Sequence, residues 1–224
     1  MDKDPRITNS AGHGLSSRVS GQVDPGAEVV NTPGTEADAV LRFTLDMDAN
    51  YRVLFAGRKH SAHVVANTGR YYLADNKAVQ YHCDTFNEFH TDAAKKSRTK
   101  DGKKYGVSVL YEDPKDAGYA KRLSAAIAEA SGLPDRGAKY RTNLAVLTPH
   151  SGMRQVIIEL FFGTDADDVA AFKAHRDAVE VAILNVNLRE WGWRTIKMPI
   201  PPRKWGRVKR LFYRARRFHP NLGR

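Results

Sequence analysis

One run of the sequence, Gln155-Val156-Ile157-Ile158-Glu159-Leu160-Phe161-Phe162, limits the fold more than any other. Six of its eight side chains are apolar and they do not alternate with polar ones, so the strand expected over Gln155–Leu160 has no solvent face. Such a strand is buried on both sides, as in the middle of a sheet covered by helices. The pattern around it fits. Strands are expected around Arg6–Asn9 and over Arg52–Ala56, Ala78–Cys83, Gly106–Tyr111 and Leu144–Leu147. Helices are expected from Thr35, with a Thr N-cap and acidic first turn, and over Ala62–Leu73, Asp116–Ser131 and Asp165–Leu188. Gly132 and Pro134 stop the third of these. Residues 84–103 are polar and Lys-rich and read as a loop. Strands alternating with helices give an α/β fold, a mostly parallel central sheet flanked by helices on both faces.

Charge divides the chain in two. Residues 189–224 hold twelve Lys and Arg against Glu190 alone, while the preceding residues hold 24 basic and 24 acidic side chains. The sequence thus divides into a neutral body, 1–187, and a cationic appendage, 188–224, which holds all three tryptophans. Within it, Trp205, Val208, Leu211, Phe212, Ala215 and Phe218 fall on one face of a helix whose other face is Arg and Lys. This cationic C-terminal tail fits an anionic membrane or lipopolysaccharide; the neutral body argues against nucleic acid, which basic-aromatic segments also serve. No stretch approaches the roughly 18 apolar residues of a membrane span. A single cysteine, Cys83, excludes an internal disulfide framework.

In a sheet of this kind ligands collect beyond the carboxyl ends of the strands. His13 follows the first strand, His82 ends the expected 78–83 strand, Glu36 opens the first helix, and Glu159 interrupts the central apolar run. A carboxylate among Val, Ile and Phe is costly to bury unless it is paired, protonated or facing a site. Cys83 points to the opposite face from His82 and packs rather than reacts. His60, His63, His90, His150 and His175 are read as surface or structural residues.

The order of these pieces resembles the zinc-dependent N-acetylmuramoyl-L-alanine amidases of the amidase-3 type. The resemblance runs through Gly12-His13-Gly14, Asp24-Pro25-Gly26-Ala27, Thr35-Glu36-Ala37 and Gln80-Tyr81-His82-Cys83-Asp84, the last read as the family's Ser-x-His-x-Asn motif. It continues through Arg136-Gly137-Ala138-Lys139, Val146-Leu147 and Ile158-Glu159-Leu160-Phe161-Phe162. Departures are Ser10-Ala11 for Asp-Pro, Asp84 for Asn, and Leu160-Phe161 where the family has Gly. The resemblance implies Zn²⁺ held by His13, Glu36 and His82, with Glu159 as the catalytic carboxylate. It implies a monomeric peptidoglycan hydrolase that cuts between N-acetylmuramic acid and L-alanine. The start, Met-Asp-Lys-Asp-Pro-Arg, shows no apolar signal-peptide core. The expectation is therefore a phage or prophage endolysin held in the host cytoplasm until lysis and acting on the periplasm or wall. The alternative is a non-catalytic nucleic-acid- or membrane-binding protein on a degenerate amidase fold.

Overall fold

A computed structural model describes residues 5–15, 23–55, 71–94, 104–144, 146–148, 150 and 152–196. Five strands form the main sheet: β1 (Ile7–Ala11), β4 (Thr85–Asp92), β7 (Arg154–Phe162), β5 (Val107–Tyr111) and β6 (Asp135–Tyr140), in that spatial order. The apolar run is β7, and it is the middle strand. The β1–β4, β4–β7 and β5–β6 pairs are parallel and the β5–β7 pair is antiparallel. A small two-stranded ribbon, β2 (Gly14–Leu15) with β3 (Val23–Asp24), follows β1.

Helices cover both faces. On one face α1 (Glu36–Phe55), α3 (Ala117–Ser131) and α4 (Ala166–Glu190) pack on Ile7, Phe89, Val109, Val156 and Ile158. Phe43 of α1 meets Phe89 edge-on, ring centroids 5.0 Å apart, and Phe161 stacks on Phe172 of α4 at 4.4 Å. On the other face, α2 (Tyr71–Gln80) contributes Ala78 to a smaller cluster with Cys83, Phe86, Leu147, Met153 and Ile157. Asp38 accepts from both the backbone N–H and the hydroxyl of Thr35, closing the start of α1. Gly132 ends α3 in the left-handed conformation at φ 68°.

Two of the expected strands are helix instead, because short apolar runs do not distinguish strand from helix. Residues 52–55 continue α1, and residues 78–80 end α2. Residues 85–92, read as loop, are instead β4, the strand between β1 and β7. Val146 and Leu147 are buried but belong to no strand; the edge strand next to β5 is β6. The expected 62–73 helix lies outside the described residues up to Arg70; α2 opens at Tyr71.

The expected boundary at 187/188 falls inside α4. Beyond that helix, Trp191 donates from Nε1 to Thr85 Oγ1, and Ile196 exchanges two hydrogen bonds with the Asn185 side chain. The chain to Ile196 therefore packs with the body. The amphipathic helix expected at 203–218 lies outside the described residues.

Candidate active site

Three of the elements end at one place. His13 sits in the turn after β1, Glu36 in the first turn of α1, and His90 near the carboxyl end of β4. Their donor atoms all lie within 4.8 Å of one another. His13 Nε2 is 3.2 Å from Glu36 Oε2, and His90 Nδ1 is 3.2 Å from Glu36 Oε1. The two imidazoles meet edge to face at 4.9 Å. Glu36 is further fixed by the backbone N–H groups of Ala27, at 2.9 Å, and Thr91, at 2.8 Å. His13 Nδ1 faces Asp24 Oδ2 at 3.2 Å. Two glycines make the approach possible: a Cβ on Gly12 would stand 2.2 Å from the His90 ring, and one on Gly26 would stand 2.6 Å from Glu36 Oε2.

The electrostatics follow from this packing. Burial alone would raise the Glu36 carboxyl, but His13, His90 and the Ala27 N–H hold it far below the usual carboxylate range. Burial alone would lower His90, but its hydrogen bonds to Glu36 and Glu88 raise it well above the usual imidazole value. His13 is raised in the same way against its own burial, chiefly by Glu36.

Glu159 stands beside this group. It is the register partner of His90 across the β4–β7 pair, so both side chains project from the same face. Burial pushes its carboxyl up to about 7, opposed by the charge of His90 and reinforced by Asp92 and Glu36. Its Oε2 is buried without a hydrogen-bond partner among the described residues.

The structure brings together His13, Glu36 and Glu159 but not His82. His82 is exposed in the turn before β4, at φ 52°. Thr85 and His90 are five residues apart along β4, roughly 17 Å of strand. His82 therefore lies at the amino end of the sheet, and the site at the carboxyl end. The residue missed was His90. Its signal was present: Glu88-Phe89-His90-Thr91-Asp92 carries the Ser-x-His-x-Asn spacing on a stretch with Thr and Phe at strand-like density. Taking residues 78–83 as the strand moved the motif eight residues too early. The departures move with it, to Glu88 in place of Ser and Asp92 in place of Asn. Cys83 is buried, as expected, with its Sγ 3.2 Å from Thr8 Oγ1.

The family model for N-acetylmuramoyl-L-alanine amidase, amidase-3, matches residues 10–186, which span all four of these groups. The chain belongs to that family. No curated protein sequence matches the chain. Among solved structures, the catalytic domain of an amidase of this name from Bacillus (Paenibacillus) polymyxa superposes with a TM-score of 0.68 at 19% identity, covering 85% of this chain and 100% of that one. The catalytic domain of an endolysin targeting Clostridia difficile gives 0.64 at 20% identity, with 87% and 100% covered. An N-acetylmuramoyl-L-alanine amidase of Nostoc punctiforme gives 0.64 at 17%, with 84% and 97% covered. The shared amidase fold thus includes the sheet that carries the site.

Proposed function

We propose that this amidase is zinc-dependent and acts as a phage or prophage endolysin, hydrolysing the amide between N-acetylmuramic acid and the L-alanine of the stem peptide. The observation that carries the metal reading is the convergence of His13, Glu36 and His90 within 4.8 Å. The donor set fits the ion. Two imidazole nitrogens and one carboxylate oxygen are the ligands of open, catalytic zinc sites, in which a fourth position is left for water or substrate. When bound, zinc polarises a carbonyl and lowers the pKa of a coordinated water toward about 7.

The chain's own groups handle the rest. Glu36, fixed by two backbone N–H groups, supplies the negative charge of the set. Asp24 orients His13 through Nδ1, leaving Nε2 toward the centre. Glu159 takes the proton of the attacking water at its unpartnered Oε2 and returns it to the alanine nitrogen as the C–N bond breaks. An affinity for protons near 7 suits it to both transfers.

The endolysin role rests on the charge asymmetry. Residues 197–224 contain ten Lys and Arg and no Asp or Glu. Such a segment draws the enzyme to anionic lipid or lipopolysaccharide, leaving the body to cut the wall. Acting from the host cytoplasm at lysis, as a monomer, completes this reading. The test is hydrolysis of a purified disaccharide-peptide, followed by the appearance of the free alanine amine. Chelation should abolish the reaction and zinc restore it; full turnover in metal-free protein would refute the proposal.

A further inference from the structure

His90 is held at both ring nitrogens, and only one of the two contacts belongs to the site described so far. Nδ1 faces Glu36 Oε1 at 3.2 Å, while Nε2 lies 3.0 Å from Glu88 Oε1. Glu88 precedes His90 by two residues in β4, so the period of the strand puts both on one face. It is only 2% exposed, and its second oxygen has no partner among the described residues. A carboxylate buried to that degree is costly unless it meets a donor. The His90 ring is the donor it meets. Gly12 lies against the ring, where a Cβ would stand 2.2 Å from both Cε1 and Nε2.

We infer that Glu88 is a positioning residue for metal binding: it accepts the Nε2–H of His90 and so fixes the tautomer and ring orientation that present Nδ1 to His13 and Glu36. Glu88 is not in the group whose donor atoms converge, so it acts through the imidazole. A carboxylate behind a ligating histidine fixes the ring and makes the imidazole a stronger donor, and losing such a partner costs 10–100-fold in metal affinity. The inference rests on the metal reading above.

The experiment is zinc competition against a chromophoric chelator, using the full chain as wild type, Glu88→Gln and Glu88→Ala. Alanine should weaken zinc binding roughly 10–100-fold, and glutamine, which can still accept the hydrogen bond, should weaken it less. Nitrogen-15 NMR of histidine-labelled, zinc-loaded wild type should show His90 protonated at Nε2 and ligating through Nδ1. That tautomer would not be set by a merely structural role, and it is readable even if the alanine variant fails to fold. Wild-type affinity in Glu88→Ala, or a His90 protonated at Nδ1, overturns the inference. A wild type that binds no zinc overturns the metal reading instead.

Discussion

Replacing Glu159 by Gln separates a proton-transfer group from a metal ligand. The substitution keeps the volume of a side chain embedded in β7 and removes its ability to accept a proton. Glu159 is outside the converging group of His13, Glu36 and His90, so the ligand set should be untouched. General acid–base groups contribute about 10²–10⁴-fold. The lower end of that range is a barrier change of about 2.7 kcal/mol. An amide at a position where Oε2 lacks a partner strands no ion, so the variant should still fold, at the cost of an amide N–H left without an acceptor. The assay pairs steady-state hydrolysis of a soluble muropeptide with zinc content by elemental analysis. Turnover should fall at least ~10²-fold with zinc still at one per chain. Loss of the metal in Glu159→Gln would show Glu159 to be a ligand, and unchanged turnover would show that the proton moves elsewhere.

Other outcomes follow from the same geometry. Burial pushes the Asp48 carboxyl up to about 7 against the hydrogen bond from Asn9 Nδ2. The native state therefore holds its proton after the unfolded chain has lost it, and stability should fall as pH rises from about 4 to about 7, by up to about 4 kcal/mol. Urea titrations of Asp48→Asn should lack that component; an identical pH dependence in both proteins would exclude Asp48 as its source. Ending the chain at Ile196 should leave soluble-muropeptide hydrolysis unchanged, because the body packs through that residue. The same truncation should abolish salt-sensitive binding to anionic vesicles, since exposed charges are screened within about 10 Å at 0.1 M salt; binding that survives it would place recognition in the body. Gly26→Ala, which puts a Cβ against Glu36 and His13 at a positive φ, should weaken zinc binding in the chelator competition, and unchanged affinity would mean that the turn relaxes freely.

The sheet and most of the site could be read from residues whose environment leaves one choice. Val156 to Phe162 has no polar face and had to be central. Ala117–Ser131 carries its own stop in Gly132. Glu159 announced itself as a carboxylate among apolar neighbours. His90 was hidden by its strand. Thr85 to Asp92 mixes Thr, Asn, Glu, His and Asp with two phenylalanines, and its buried polar residues find partners on both faces of the strand: Glu88 meets His90 at the site, Asn87 accepts from Tyr119 and Thr85 from Trp191. A pattern rule that sends polar residues outward reads such a strand as loop. The same rule hid the end of the body: Trp191, Trp193 and Ile196 sit in a basic stretch, yet they return to α4 through backbone and side-chain contacts that charge counting does not see.

In the proposed site, His90 and not His82 completes the metal-binding set with His13 and Glu36. The direct measurement is zinc stoichiometry in three proteins: wild type, His90→Ala and His82→Ala, each dialysed against the same buffered zinc. Wild type and His82→Ala should each hold about one zinc per chain, with equal affinity, because His82 lies at the far end of the sheet. His90→Ala should lose the metal and the hydrolytic activity together. Zinc retained in His90→Ala, or lost in His82→Ala, would contradict this account of the site.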